Sequence, residues 1–183
     1  MPRPVFVALC VVALAASACA WTSPGLPAGQ QAAESSRLYA ADGTLITTLH
    51  GEENREVVPL DAIPRLVQDA VVAIEDERFW AHRGVDLRAV ARAAVSNASE
   101  GRVSEGGSTI TQQYVKNELL DPEKDVGRKL KEASLAYRLE QKYPKERILE
   151  LYLNTIYFGN GAYGVQAAAH EYFGVPAEQL RLP

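Results

Sequence analysis

From Ile63 onward the apolar residues recur at helical spacing, and this restricts the chain to a mostly α fold. Ile63, Leu66, Val67, Ala70, Val71 and Ile74 fall at i, i+3, i+4, i+7, i+8 and i+11, one face of an amphipathic helix. Leu87 to Val95 carries a second helix. A loop with Gly101, Gly106 and Gly107 then leads to Thr109, which with Gln112 fits a capping box and starts a helix through Leu120. Asp121-Pro122 reads as the N-cap and first-turn proline of the helix that includes Arg128 to Gln141. Tyr143-Pro144 punctuates it and PKERILELYLN starts another. A glycine stretch, FGNGAYG, leads to VQAAAHEYFG, a short helix closed by Gly174. The exception to the helical pattern is LYAADGTLITTLHG, two short apolar runs about Asp42-Gly43 that predict a β-hairpin.

The composition is that of an ordinary globular protein, 47% hydrophobic and 23% charged, which excludes a disordered chain and a polytopic membrane protein. A net charge of -4 argues against a general nucleic-acid binder. Both cysteines, Cys10 and Cys19, precede the folded part, so it holds neither a disulfide framework nor a thiolate metal site. His50, His82 and His170 stand in no metal-ligand spacing, which argues against metal-dependent hydrolysis; His170, on an alanine-rich helix, is expected to pack. At the N-terminus, Pro4 to Ala20 is uncharged and follows Arg3. It reads either as a signal peptide cleaved after Ala18-Cys19-Ala20 or as an uncleaved anchor with Trp21 at the outer interface. Either reading exports the chain. Residues 22–37 form a polar linker.

Three clusters defy local rules. Glu75, Asp76 and Glu77 end a helix where the macrodipole disfavours carboxylates. Glu75 can edge a cleft there and serve as a general base, or the three can be a solvated charge run. Arg128, Lys129 and Glu132 share one helical face, being i, i+4 and i, i+3. Two cations beside a carboxylate suit a reaction that releases a phosphate group, or they form a surface ion-pair lattice. Ser108, Thr109, Gln112 and Gln113, followed by Lys116 and Asn117, crowd polar groups at a glycine-loop-to-helix junction. Such groups can bind a sugar or phosphate, or simply cap the helix.

Taken together these segments resemble the peptidoglycan glycosyltransferase domain of class A penicillin-binding proteins and monofunctional transglycosylases (glycosyltransferase family 51). The family's motifs are matched in order by EDERFWAHRG (Glu75 to Gly84), EGGSTITQQYVKN (Glu105 to Asn117), RKLKE (Arg128 to Glu132), RILELYLN (Arg147 to Asn154) and part of the last by GVQAAAHEYFG (Gly164 to Gly174). The resemblance covers residues 38–183. It implies a mostly α, lysozyme-like, two-lobed domain with a short N-terminal β-hairpin, C-terminally truncated because the family's domain runs on beyond this point.

The resemblance also implies the chemistry: polymerisation of lipid II into glycan strands, with inversion and release of undecaprenyl pyrophosphate. Glu75 falls on the general base that deprotonates the acceptor 4-hydroxyl, and Glu132 on the second essential glutamate, near the leaving pyrophosphate. Arg128 and Lys129 fall on the cations that stabilise that group, with or without a divalent cation (Mg or Mn); no other cofactor is expected. Ser108, Thr109, Gln112, Gln113, Lys116 and Asn117 match substrate-contacting positions, and Asp76, Phe79, His82 and Gly84 shape the site. A pyrophosphate leaving group needs positive charge and no general acid, which separates polymerisation from hydrolysis. The rivals are a glycan-cleaving lysozyme-like or lytic enzyme, which has no need of Arg128 and Lys129, and a non-catalytic membrane-anchored scaffold, which has no need of both glutamates. The family's membrane anchor favours the uncleaved signal-anchor over residues 1–21, with the domain on the extracytoplasmic face of the bacterial cytoplasmic membrane. Expected partners are lipid II, the nascent strand, the membrane, and cell-wall synthesis and division proteins, but no nucleic acid.

Overall fold

In the computed structural model, which describes residues 36–49, 54–100, 107–120 and 126–181, the chain is mostly helical, as its periodicity predicts. The elements in order are β1 (Ser36–Tyr39), β2 (Leu45–Leu49), β3 (Asn54–Arg55), α1 (Arg65–Glu75), α2 (Leu87–Glu100), α3 (Ile110–Glu118), α4 (Val126–Lys142), α5 (Lys145–Thr155), β4 (Tyr157–Gly159), β5 (Ala162–Tyr163) and α6 (Val165–Phe173). β1 and β2 form the expected antiparallel hairpin, with Gly43 at φ +85° and Asp42 Oδ1 accepting the Thr44 N–H at 2.9 Å. The N-terminal apolar run, nearly all of the 22–37 linker, residues 101–106 and the Asp121-Pro122 cap lie outside the described residues. Among the described residues no helix is long and apolar enough to cross a membrane.

α3 packs against both α4 and α5. Ile110 and Val115 of α3 are fully buried beside Leu135 of α4 and Ile148, Leu149 and Leu153 of α5, with Ile63 and Phe79 completing the core. Burying one such side chain contributes roughly 1.5–3 kcal/mol, so this three-helix contact adds substantially to stability. The buried Thr111 hydroxyl is satisfied at this contact. Thr111 Oγ1 donates to Glu140 Oε1 at 2.5 Å, and Lys145 Nζ reaches the same oxygen at 2.7 Å. Asn154 of α5 staples the chain ahead of α1: its Nδ2 donates to Val58 O and its Oδ1 accepts the Val58 N–H.

Three expectations are corrected. In α1 the inward face is Val67, Gln68, Val71 and Val72, while Leu66, Ala70 and Ile74 are exposed. Apolar residues nearly encircle this helix, and Gln68 turns inward because its Nε2 donates to the carbonyls of Leu60 and Ile63. The glycine stretch after α5 is not a plain connector. It forms β4 and β5, which pair antiparallel with each other, and β5 pairs parallel with β3. His170 is exposed on α6 and hydrogen-bonded to Gln166, so it is not a packing residue.

Candidate active site

Glu75 is the last residue of α1, and Asp76 stops the helix by leaving helical geometry. The macrodipole penalty on this acidic end is answered by the tertiary structure. Asp76 Oδ2 accepts the N–H of Ile110, the first residue of α3, at 3.1 Å, so the carboxylate serves the positive end of another helix. His82 Nε2 donates to the same carboxylate at 2.8 Å. Between them Phe79 is fully buried. Asp76 and His82, both buried, therefore fold the EDERFWAHRG turn back on itself and pin it to α3.

Gly84 closes this turn at φ +77°. A Cβ there would lie 2.6 Å from the backbone nitrogen of Tyr137, so glycine lets the turn rest directly on α4. Its carbonyl accepts Thr109 Oγ1 at 2.6 Å. Thr109 and Gln112 form the predicted capping box, each accepting the other's backbone N–H at 3.1 Å, and both are buried. The Thr109 hydroxyl and the Gln112 side-chain oxygen are thus engaged in starting α3. Lys116 and Asn117 are exposed on its last turns.

The third cluster assembles around Lys129. Its Nζ lies 2.6 Å from Glu132 Oε1 and 3.0 Å from Ser108 Oγ, joining α4 to the residue just before the α3 cap. Glu132 is buried while the Lys129 side chain is more than half exposed, so the carboxylate is fixed and the cation faces outward. Arg128 is half-buried beside it, and its Nε is buried without a hydrogen-bond acceptor among the described residues. Among these residues no three His, Cys, Asp or Glu side chains converge as a metal site. Glu132 is engaged by Lys129.

Glu75 itself is exposed, and its Oε2 accepts from Gln113 Nε2 at 2.9 Å. It stands between two recesses. One is polar and is shared with Asp76, Arg78, Asp86 and Ser108. The other, of about 340 Å³, is walled by Val71, Ile74, Tyr152, Ile156 and Phe158. Ser108 lines the polar recess and also accepts Lys129, so the same residue links the surroundings of both glutamates.

Two further residues belong to this site. Tyr152 donates its hydroxyl to Gln113 Oε1 at 3.1 Å; its helical spacing signals only core. Asp86 starts α2 by accepting the Arg88 N–H at 2.9 Å, and its position just ahead of Leu87 was a usable capping signal. Burial alone would push the Asp86 carboxyl up. The N–H groups of Ala89 and Arg88 and the Arg78 guanidinium outweigh it and hold the group below its ordinary 3.8. Its stabilising contribution is then complete above that value and fades as pH falls below it. Asp86→Ala is expected to cost about 1 kcal/mol near pH 7. In urea unfolding the gap to wild type should narrow at pH 3 and below.

The sequence pattern of the transglycosylase family, described as "Transglycosylase", matches residues 42–183. The chain belongs to the transglycosylase family. It is 47% identical over 162 residues to penicillin-binding protein 1A of Aquifex aeolicus, a match covering 88% of this chain and 21% of that protein. To penicillin-binding protein 1A of Neisseria flavescens it is 47% identical over 145 residues, 79% of the chain and 18% of the relative. To penicillin-binding protein 1F of Bacillus subtilis it is 44% identical over 146 residues, 80% and 20% respectively. The chain thus spans about a fifth of the length of these relatives. The transglycosylase match takes in all three clusters described above.

Proposed function

We propose that this domain polymerises lipid II into peptidoglycan glycan strands, with undecaprenyl pyrophosphate as the leaving group. The observation that carries this reading is the contrast between its two glutamates. Glu75 is exposed in the cleft with a neutral amide as its hydrogen-bond partner, and is free to take a proton. Glu132 is buried and held on a cation. A carboxylate within reach of the acceptor 4-hydroxyl removes its proton as that oxygen attacks the anomeric carbon from the face opposite the departing phosphate, which inverts the centre. The pyrophosphate leaves as an anion and needs fixed positive charge rather than a proton donor. Lys129, positioned by Ser108 and Glu132, and Arg128 with its unsatisfied Nε, supply that charge. The N-terminal apolar run fits an anchor that keeps the domain on the membrane carrying its lipid substrate, with the nascent strand and other cell-wall synthesis and division proteins as partners.

The test is labelled lipid II incubated with the full-length protein and glycan polymer followed on a gel. Wild type is expected to form polymer. Lys129→Met is expected to lower kcat by roughly 100-fold, the scale of removing one preorganised charge-stabilising group. Shortening of pre-made glycan would instead establish a cleaving enzyme, and binding of lipid II without polymer a scaffold.

A further inference from the structure

We propose that Tyr152 is a positioning residue for Glu75, acting through the side-chain amide of Gln113. The inference rests on the reading of Glu75 as the base. Three helices meet at this amide: Glu75 ends α1, Gln113 lies in α3 and Tyr152 in α5. Gln113 Nε2 donates to Glu75 Oε2 at 2.9 Å, and Tyr152 Oη donates to Gln113 Oε1 at 3.1 Å.

An amide has a donor end and an acceptor end, and a carboxylate tolerates only the donor end. A half-exposed glutamine with three side-chain torsions loses appreciable rotamer freedom when held in place, and one contact with an exposed carboxylate holds it weakly. The second contact comes from a rigid source. The Tyr152 ring is almost wholly buried in the core cluster that also holds Ile148, Leu149 and Leu153, so its hydroxyl is delivered to one place. With the oxygen end of the amide occupied by that hydroxyl, the nitrogen end must face Glu75.

The arrangement needs a neutral phenol, since a phenolate could only accept and would turn the amide around. Burial, and then the charge of Glu75, push the Tyr152 phenol well above its ordinary range, which keeps it protonated. Tyr152 also lines the apolar recess beside Glu75, so the residue that shapes that wall orients the carboxylate it faces.

The experiment measures lipid II polymerisation by the full-length protein carrying Tyr152→Phe, Gln113→Ala and both, beside Glu75→Gln. Tyr152→Phe keeps the buried ring, so the melting temperature is expected to stay close to wild type. kcat should fall about tenfold, the equivalent of one lost hydrogen bond, with KM within about twofold. In the Gln113→Ala background Tyr152→Phe should have no further effect, because the amide through which it acts is gone. Wild-type kcat in Tyr152→Phe, or losses that multiply in the double variant, would overturn the proposal even with Glu75→Gln inactive. An active Glu75→Gln would instead remove the reading of Glu75 on which it rests.

Discussion

Glu75→Gln is expected to abolish glycan polymerisation to within about a thousandth of wild type while leaving the domain slightly more stable. The first half follows from proton transfer. A positioned general base contributes about 100- to 10,000-fold, and an amide of the same shape cannot accept the acceptor's proton. The second half follows from the helix end. Glu75 closes α1, where the macrodipole places partial negative charge, so removing the carboxylate relieves a repulsion of about 0.3–1 kcal/mol. The new side chain can still accept from Gln113 through its oxygen, so the local network survives. Activity and melting temperature measured on the same preparations would show the two changes moving in opposite directions. A fall in both would mean that Glu75 holds structure rather than carrying chemistry. A carboxylate kept where it costs stability fits a site that trades stability for activity.

The largest structural effect is expected from Gly84→Ala. A Cβ at this position meets Tyr137 N at 2.6 Å, Tyr137 Cα at 2.7 Å and Ala136 C at 2.8 Å, all backbone atoms of α4 that cannot rotate aside. The residue is also at φ +77°, which an L side chain adopts only with strain. Strain of roughly 1–2 kcal/mol and displacement of packed backbone of about 1–3 kcal/mol together predict a loss near 3–4 kcal/mol in urea unfolding. Gly174→Ala is the internal control. It has φ +68° but nothing within 4 Å of its added Cβ, so only the strain of roughly 1–2 kcal/mol should appear. Activity should suffer in Gly84→Ala beyond the stability loss. The Gly84 carbonyl holds Thr109 Oγ1, so moving the turn shifts the start of α3, and with it Ser108 and Gln113.

Several elements were legible from sequence alone because their causes are local. The Thr109–Gln112 capping box is a contact across three residues, Gly174 ends α6 through its own left-handed backbone, and Pro144 opens α5. The contact of Lys129 with Glu132 follows from one helical turn. The order of the clusters, EDERFWAHRG to GVQAAAHEYFG, likewise sufficed to place the chain in its family.

What lay beyond the sequence is whatever depends on elements meeting across long separations. α1 carries apolar residues nearly all round, so periodicity could not say that Val72 and Gln68 turn inward while Ile74 faces out. The parallel pairing of Asn54 and Arg55 with Ala162 and Tyr163 joins segments with no local signal to match them. Asp76 reads in sequence as one more acid at an unfavourable helix end; in the fold it caps α3 and holds His82. Tyr152 reads as core, and only the packing of α5 against α3 brings its hydroxyl to the amide that faces Glu75. Local hydrogen bonds and backbone preferences, which act over a few residues, therefore determined the elements and the chemistry-bearing residue types. Burial of the α3–α4–α5 interface, which depends on the whole chain, decided which of those residues meet.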